Sequence, residues 1–332
     1  MTLIIAEAGV NHNGNLALAK KLIETASQCG ADVVKFQTFR AELLATKKAA
    51  RAKYQIENIG KDGSQISMLK KLELKQEDYK SLLKYSKDKD IEFLSTAFDD
   101  KSIEFLDKLG IKRWKIPSGE ITNLPYLRAI AKKNMPVILS TGMADMGDIR
   151  DAIEAMENSG LSRTSITVLQ CTTEYPAPYD EINLNAMKTI KDEFDVKIGY
   201  SDHTEGIEVA IAAVALGASV IEKHLTLSKQ MEGPDHKASI EPEQFREMIK
   251  SIRIVERSLG NGIKIPGQSE TKNMLIARKS IVAASQIRRG DIISERNLTT
   301  KRPGSGISPM EWDRLIGTLA QKDYEPDDQI EE

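Results

Sequence analysis

Short apolar runs of the kind that form buried β-strands recur along the chain up to Leu259. Each run is followed by a longer stretch in which apolar residues return every three or four positions, the period of an amphipathic helix. Eight runs are predicted as strands: Leu3–Gly9, Val33–Thr38, Glu92–Phe98, Arg113–Gly119, Pro136–Gly142, Ile166–Thr172, Val196–His203 and Val220–Thr226. The clearest helical stretches between them are Leu16–Cys29, Gln76–Asp88, Ser102–Leu109, Ile149–Asn158 and Ile207–Leu216. This alternation predicts a parallel sheet with helical crossovers.

Eight strand–helix units in a segment of this length match a closed (β/α)8 barrel, the TIM barrel. An open doubly wound sheet is the alternative, but it usually has fewer strands and a glycine-rich turn after the first one. Here the first turn, Gly9–Gly14, reads GVNHNG, which is not a dinucleotide-binding fingerprint. We therefore expect an α/β barrel whose functional residues lie at the carboxyl ends of the strands.

The strand–helix alternation ends where glycine and proline accumulate, at Gly260–Gly262 and at Pro266–Gly267. Beyond this point the apolar pieces are short and are separated by Arg-Arg-Gly and Arg-Pro-Gly turns. We predict a catalytic barrel over 1–262, a linker over 263–275 and a small β-rich domain over 276–332. A domain of that size is marginally stable alone, so we expect it to pack on another surface.

Composition narrows the classes of partner. The chain holds 47 Lys and Arg against 49 Asp and Glu, a formal charge of −2, which argues against nucleic-acid binding through bulk positive charge. The longest apolar run without a charged residue, Val209–Ile221, is shorter than the ~20 residues that a membrane span needs. The first residues contain no basic leader, and Cys29 and Cys171 cannot form a disulfide framework. These features favour a cytoplasmic protein with no nucleic-acid or membrane partner.

The histidines are concentrated at the predicted strand ends. All four lie there or in the loops just beyond: His12, His203, His224 and His236. Because His203 and His224 end neighbouring strands, which lie ~4.8 Å apart, their imidazoles can converge on a divalent metal ion. The alternative is a pair of hydrogen-bonded histidines that line a pocket, and the spacing leaves both open.

Two lysines, Lys35 and Lys115, occur inside otherwise apolar strands. A lysine there must reach the pocket or pair with a carboxylate. Together with hydroxyls at nearby strand ends, the lysines could form an oxyanion or phosphate site; the hydroxyls are those of Ser118, Ser140 and Ser201. A purely structural pairing with Glu7 or Glu120 is equally compatible, and a Schiff-base lysine is a third possibility.

Candidate acid–base groups are the carboxylates of Glu7, Glu120, Glu174 and Asp235. Burying a carboxylate inside a barrel without a partner is costly, so a functional role is favoured for these residues.

Six motifs along the chain resemble those of the sialic acid synthase family: Ala6–Gly14, Lys115–Glu120, Ser140–Met143, Tyr200–Thr204, Glu222–His224 and Gly233–His236. The segment Lys301–Gly304 resembles the signature of that family's antifreeze-like (SAF) domain. The resemblance covers nearly the whole chain. It implies a condensation of phosphoenolpyruvate with an open-chain acetamido-mannose-type sugar, which gives a nine-carbon 2-keto sugar acid and phosphate.

The resemblance also implies roles for individual residues. The positions that match the family's phosphoenolpyruvate site are Lys35, Lys115, Ser118, Ser140 and Ser201. A divalent metal, manganese or magnesium, would be held by the residues matching its ligands, His203 and His224. Glu120 is expected to handle the proton of the attacking water.

The remaining implied roles concern the sugar and the assembly. Glu7 and Asp235 match positions that face the sugar, and Arg302 matches an arginine that contacts its acetamido group. In the family this arginine reaches the active site of the other subunit, which implies a domain-swapped homodimer. Such packing would also stabilise the small domain.

The segment Thr172–Pro178 differs from the sialic acid type and, with Glu174 before Tyr175, looks more like the legionaminic acid synthases. The favoured sugar is therefore a 2,4-diacetamido-2,4,6-trideoxymannose. The N–H of its second amide could donate a hydrogen bond to a carboxylate. N-acetylmannosamine is the alternative substrate, and pseudaminic acid synthesis is a weaker third. Two other classes stay open, a Schiff-base barrel aldolase and a non-catalytic sugar-binding protein.

Overall fold

The computed structural model describes residues 1–46, 48–59 and 64–331. The chain forms two compact units, Met1–Gly260 and Asn261–Glu332. Within the described residues, no helix is both long and apolar enough to cross a membrane.

The first unit contains eight strands in one parallel sheet: β1 Leu3–Gly9, β2 Val33–Thr38, β3 Glu92–Ala97, β4 Trp114–Ile116, β5 Val137–Ser140, β6 Ile166–Cys171, β7 Lys197–Asp202 and β8 Val220–His224. Their order is β3-β2-β1-β8-β7-β6-β5-β4. The two end strands, β3 and β4, lie next to each other, so the sheet closes on itself. The predicted (β/α)8 barrel is confirmed.

Six of the eight strands are shorter than predicted, β4 and β5 the most. The pattern suggested Arg113–Gly119 and Pro136–Gly142, but β4 ends at Ile116 and β5 ends at Ser140. After β4 the chain passes through Pro117, which has no N–H for a ladder, and enters a 3₁₀ turn over Ser118–Glu120. This turn places Ser118 at the mouth of the barrel.

The helices of the first unit are α1 Leu16–Cys29, α2 Ala41–Leu44, α3 Lys53–Ile59, α4 Gln65–Leu72, α5 Gln76–Asp88, α6 Asp100–Leu109, α7 Leu124–Ala131, α8 Met146–Glu157, α9 Asn185–Phe194, α10 Glu208–Ala215 and α11 Pro242–Ser258. Their starts follow local chemistry; Asn15, for example, accepts hydrogen bonds from the first backbone N–H groups of α1. Each of the five predicted helical stretches is helical over most of its length. Helices α2 to α4, which lie between β2 and α5, were not predicted.

The inside of the barrel is built in layers. The lowest layer is apolar and comprises Ile5, Val33, Leu94, Ile138, Leu169 and Val220. Side chains two residues further along a strand face the same side. The corresponding positions of the next layer are Glu7, Lys35, Thr96, Ser140, Cys171 and Glu222. The strand period therefore places polar groups directly above an apolar floor.

The second unit has a small core of its own around an antiparallel pair, β9 Ser280–Ala283 and β10 Leu298–Lys301. It also contains two helices, α12 Gln268–Ala277 and α13 Trp312–Leu315. Helix α12 occupies most of the segment predicted as a linker, 263–275. It was not predicted as a helix, because it buries none of its residues and its polar sequence resembles a loop.

Gly199 allows the barrel to close at β7. A Cβ atom at this position would lie 2.5 Å from both Leu169 Cδ2 and the Val220 carbonyl oxygen. Because one of these atoms belongs to the backbone of a neighbouring strand, a side chain could fit only if the strands moved apart.

We expect Gly199→Ala to lower the free energy of unfolding by about 1–3 kcal/mol, the usual cost of overpacking. Chemical denaturation of both proteins would measure it. Gly119→Ala is the matched control, since a Cβ atom there would have no neighbour within 4 Å. Equal stability of the Gly199 and Gly119 variants would contradict this account.

Candidate functional site

A cavity of about 240 Å³ opens at the carboxyl ends of the barrel strands. Nine of the predicted site residues line it: Glu7, Lys35, Lys115, Ser118, Ser140, Tyr175, Ser201, His203 and His224. Eight strand ends converge there, which explains how residues far apart in sequence come together.

The deep part of the cavity is an ionic network centred on Glu222. Lys35 Nζ lies 2.7 Å from Glu7 Oε2 and 3.6 Å from Glu222 Oε2. Lys115 Nζ lies 3.3 Å from Glu222 Oε1, which also accepts a hydrogen bond from Ser201 Oγ at 3.1 Å. Both lysines therefore share one carboxylate. The sequence had left structural pairing and anion binding open for these lysines, and the geometry allows both.

Burial and neighbouring charges separate the proton affinities of these groups. Burial alone would raise the pKa of Glu222, but Lys115 and Lys35 outweigh it and lower this pKa to about 2. Burial raises the pKa of Glu7, although Lys35 opposes the shift. Burial also lowers the pKa of Lys115, assisted by the charge of Lys35. Burial alone would also lower the pKa of Lys35, but the charges of Glu222 and Glu7 outweigh burial and raise this pKa. Lys35 and Glu222 are thus firmly charged.

Hydroxyl groups add donors beside the lysines. Ser140 Oγ is buried and has no hydrogen-bond partner within the described part of the chain. Ser118 Oγ accepts a hydrogen bond from the backbone N–H of Gly142 at 2.9 Å, and Ser118 lines the cavity. A buried hydroxyl without a partner indicates a place for a bound oxygen atom.

The two imidazoles lie side by side, with ring centroids of His203 and His224 5.5 Å apart. His203 Nδ1 lies 2.7 Å from the carbonyl oxygen of Thr172, which requires the proton on Nδ1 and leaves Nε2 as an acceptor. His224 Nδ1 is buried with no partner among the described residues. Burial, together with the charges of His203 and Lys35, lowers the pKa of His224. Burial would lower the pKa of His203, but Cys171 and the carbonyl oxygen of Thr172 outweigh it and raise this pKa. A divalent cation would bind the neutral forms of both imidazoles, at the ring nitrogens that these contacts leave open.

The described residues contain no group of three or more His, Cys, Asp or Glu side chains placed to hold a metal ion. A cation between His203 and His224 would therefore take its other ligands from substrate or water. Tyr175 packs against this pair, with its ring 4.2 Å from that of His203.

Four predicted site residues do not line the cavity. Glu120 is half-buried at its edge and accepts a hydrogen bond from Asn123 at 2.6 Å. Glu174 is exposed, whereas its neighbours Thr173 and Tyr175 line the cavity. Arg302 lies in the second unit, where its Nε donates to the carbonyl oxygen of Ala277.

The fourth of these residues, Asp235, is buried above the barrel on the loop that follows β8. Burial and the charge of Glu7 raise the pKa of its carboxyl from 3.8 to about 7, against the opposing effect of His203. The loop is held by Asn13, whose side chain donates to the carbonyl oxygen of Glu232 at 2.7 Å. Asp235 therefore lies within electrostatic reach of the cavity.

The structure adds cavity residues to which the sequence had given no role. Glu222 is the most important, and Thr96, Gln37 and Phe98 also line the cavity. The signal that could have identified them is the strand period, because Thr96 lies two residues beyond Leu94 and Glu222 two beyond Val220.

Models of known protein families match most of this sequence. The NeuB family model matches residues 22–264, and a SAF domain model matches residues 278–331. The chain belongs to the NeuB family.

Two similar relatives of this NeuB-family chain are both named N,N'-diacetyllegionaminic acid synthase. The one from Campylobacter jejuni is 54% identical and covers 100% of this chain and 99% of its own length. The one from Legionella pneumophila is 48% identical, and the match covers 95% of this chain and 89% of that relative. A relative from Homo sapiens, named N-acetylneuraminate-9-phosphate synthase, is 36% identical, and the match covers 99% of this chain and 91% of that relative. A relative from Campylobacter jejuni, named pseudaminic acid synthase, is 33% identical, and the match covers 99% of this chain and 95% of that relative.

Among solved structures, the N-acetylneuraminic acid synthetase of Leptospira borgpetersenii matches with a TM-score of 0.72 at 32% identity. The match covers 82% of this chain and 90% of that one. The family resemblance found in the sequence motifs is confirmed.

Asp235 should make the stability of this NeuB-family protein depend on pH. Its pKa is higher folded than unfolded, so its contribution to stability is complete below about pH 3.8 and is lost as pH rises to about 7. Asp235→Asn does not titrate. We expect the wild type to lose stability relative to this variant between these pH values, with no further change above them.

Urea denaturation of both metal-free proteins across this pH range would measure the difference. Asp151→Asn, on the exposed face of α8, serves as the control for a general effect of removing one carboxylate. A constant difference between wild type and Asp235→Asn at all pH values would refute the raised pKa.

Proposed function

We propose that the protein condenses phosphoenolpyruvate with 2,4-diacetamido-2,4,6-trideoxymannose and yields N,N'-diacetyllegionaminate and phosphate. The observation that carries this proposal is the cavity itself, which is lined by two lysines, three serine hydroxyls and two imidazoles. The names of the Campylobacter and Legionella relatives support the choice of sugar. N-acetylmannosamine is the second candidate, since a sialic acid synthetase shares the fold.

Phosphoenolpyruvate binds in the deep part of the cavity. Lys35 and Lys115 supply positive charge for its phosphate and carboxylate, and Glu222 keeps them in place before the substrate arrives. The hydroxyls of Ser118, Ser140 and Ser201 complete the set of donors. Held this way, the enol carbon faces the mouth of the barrel, where the sugar enters.

The imidazoles of His203 and His224 would hold a divalent cation, manganese or magnesium. When bound, this ion polarises the aldehyde oxygen of the sugar as a Lewis acid. The hydrogen bond from His203 Nδ1 to the carbonyl oxygen of Thr172 fixes the ring and would leave Nε2 free to bind the cation.

Carboxyl groups around the cavity manage the protons of the reaction. A carbon–carbon bond forms between the methylene of phosphoenolpyruvate and the aldehyde carbon, whose oxygen takes up a proton. Water then adds at the cation-like carbon, and the tetrahedral intermediate expels phosphate. Glu120, whose pKa burial raises despite the hydrogen bond from Asn123, accepts the proton of this water. Glu7 and Asp235 face the sugar, and the pKa of Asp235 near 7 allows it to donate a proton at neutral pH.

The sugar lies toward the rim, against Tyr175. In a domain-swapped homodimer, the Arg302 side chain of one subunit contacts the acetamido group of the sugar bound in the other subunit. Glu174 accepts a hydrogen bond from the second amide N–H of the sugar at the rim. The dimer is supported by helix α12, which has no buried residue although it carries Leu275 and Ile276. Both cysteines are unpaired, as in a reducing compartment, and we place the reaction in the cytoplasm.

Release of phosphate from phosphoenolpyruvate tests the proposed function. We expect release with the diacetamido sugar at a higher kcat/KM than with N-acetylmannosamine, and loss of both activities in EDTA with recovery on adding Mn²⁺. His203→Ala should lose about 100-fold or more, because Lewis-acid activation contributes several kcal/mol.

The alternatives predict other results in the same assay. A preference for N-acetylmannosamine would reassign the substrate. A borohydride-trapped lysine adduct without metal dependence would indicate an aldolase, and no phosphate release with any sugar would indicate a binding protein.

Complementation tests the shared site. Arg302→Ala and His203→Ala chains should each be nearly inactive alone, and mixing them should restore activity, because a hybrid dimer has one cavity with both groups. Native mass spectrometry of the mixture, with one of the two chains carrying an affinity tag, monitors subunit exchange. No recovery after proven exchange would mean that Arg302 acts within its own chain.

A further inference from the structure

A buried ion pair lies on the helix-facing side of the sheet, behind the two imidazoles. Lys223 Nζ is 2.6 Å from Asp202 Oδ2, and both side chains are almost completely shielded from solvent. Their strand neighbours Ser201 and Glu222 line the cavity, whereas Asp202 and Lys223 do not. Successive residues of a strand face opposite sides. The pair is therefore buried between sheet and helices, outside the substrate cavity.

The same two residues also fix the chain where it leaves β7. Asp202 Oδ1 accepts hydrogen bonds from the backbone N–H and the hydroxyl of Thr204, at 2.9 and 2.7 Å. Lys223 Nζ donates to the carbonyl oxygen of Thr204 at 2.8 Å. Asp202 and Thr204 are the chain neighbours of His203, and Lys223 precedes His224. One network thus holds the backbone on both sides of one imidazole and beside the other.

This network is poorly explained by stability alone. Removing two charges from water costs about as much as their attraction returns, so an apolar pair of similar volume would stabilise the barrel equally well. An apolar pair could not bond to the backbone of Thr204, however, and would leave the direction of the chain after β7 undefined. The ion pair therefore fixes geometry at the point where two strands deliver their histidines.

We propose that Lys223, Asp202 and Thr204 are positioning residues that hold His203 and His224 at the spacing a divalent cation requires. The inference depends on the metal site of the proposed function. Residues behind metal ligands typically change metal affinity by 10–100-fold when they are removed. None of the three needs to contact the ion or the substrates to have this effect.

The test is the affinity of the substrate-free protein for Mn²⁺, measured from the electron paramagnetic resonance signal of the free ion. We expect Lys223→Met to bind Mn²⁺ about 10–100-fold more weakly than wild type. Thr204→Val should show a smaller loss in the same direction, because it removes one hydrogen bond and exposes no charge. Thr204→Ser retains the hydroxyl and should bind as wild type does.

Thr38→Val is the matched control. Thr38 Oγ1 is buried at the end of β2 and lies 2.7 Å from Ser95 Oγ, so this variant also loses a buried hydroxyl at a strand end, away from both histidines. It should keep wild-type affinity. Urea denaturation of each variant shows whether it folds. If Lys223→Met does not fold, the Mn²⁺ affinities of Thr204→Val and Thr204→Ser test the positioning role instead.

Each remaining outcome contradicts the proposal. Wild-type Mn²⁺ affinity in folded Lys223→Met and Thr204→Val would overturn the positioning role and leave the metal site standing. An equal loss in Thr38→Val would show general loosening of the barrel. A wild-type protein that binds no Mn²⁺ would refute the metal site of the proposed function, and this inference with it.

Discussion

The site depends on one buried carboxylate that serves two lysines. Lys35 and Lys115 are buried inside the barrel, where little solvent reaches their charges, and Glu222 lies between them. An unpaired cation at either position would be costly to bury. Because Glu222 and Glu7 compensate the lysines before any substrate binds, the fold can keep two ammonium groups at the bottom of a cavity. An arriving dianion then meets donors that are already oriented.

Much of this architecture could be predicted from the sequence. The strand positions followed from apolar runs, and Lys35 was identified because a charged residue inside such a run must face a polar space. The shortened β4 was missed because its end depends on Pro117 and a 3₁₀ turn, which interrupt an otherwise apolar stretch. Helix α12 was missed because a helix that buries nothing leaves no periodic signal.

The limits for the site were spatial. The sequence placed Glu174 beside Tyr175 but could not show that the loop presents Tyr175 to the cavity and leaves Glu174 exposed. It gave Glu222 no role, although its distance of two residues from Val220 marked it as inward-facing. Asp235 belongs to a loop whose position depends on hydrogen bonds to Asn13, a contact between opposite ends of the barrel sequence.

The apolar layer below the ionic network closes the barrel from beneath. A cavity with a sealed floor has a single entrance, which makes the kinetic order of the reaction a matter of geometry. The substrate that occupies the bottom must enter first, since the second substrate blocks its route. The same restriction applies in reverse after turnover, when whatever was formed near the mouth must depart before the group left at the bottom.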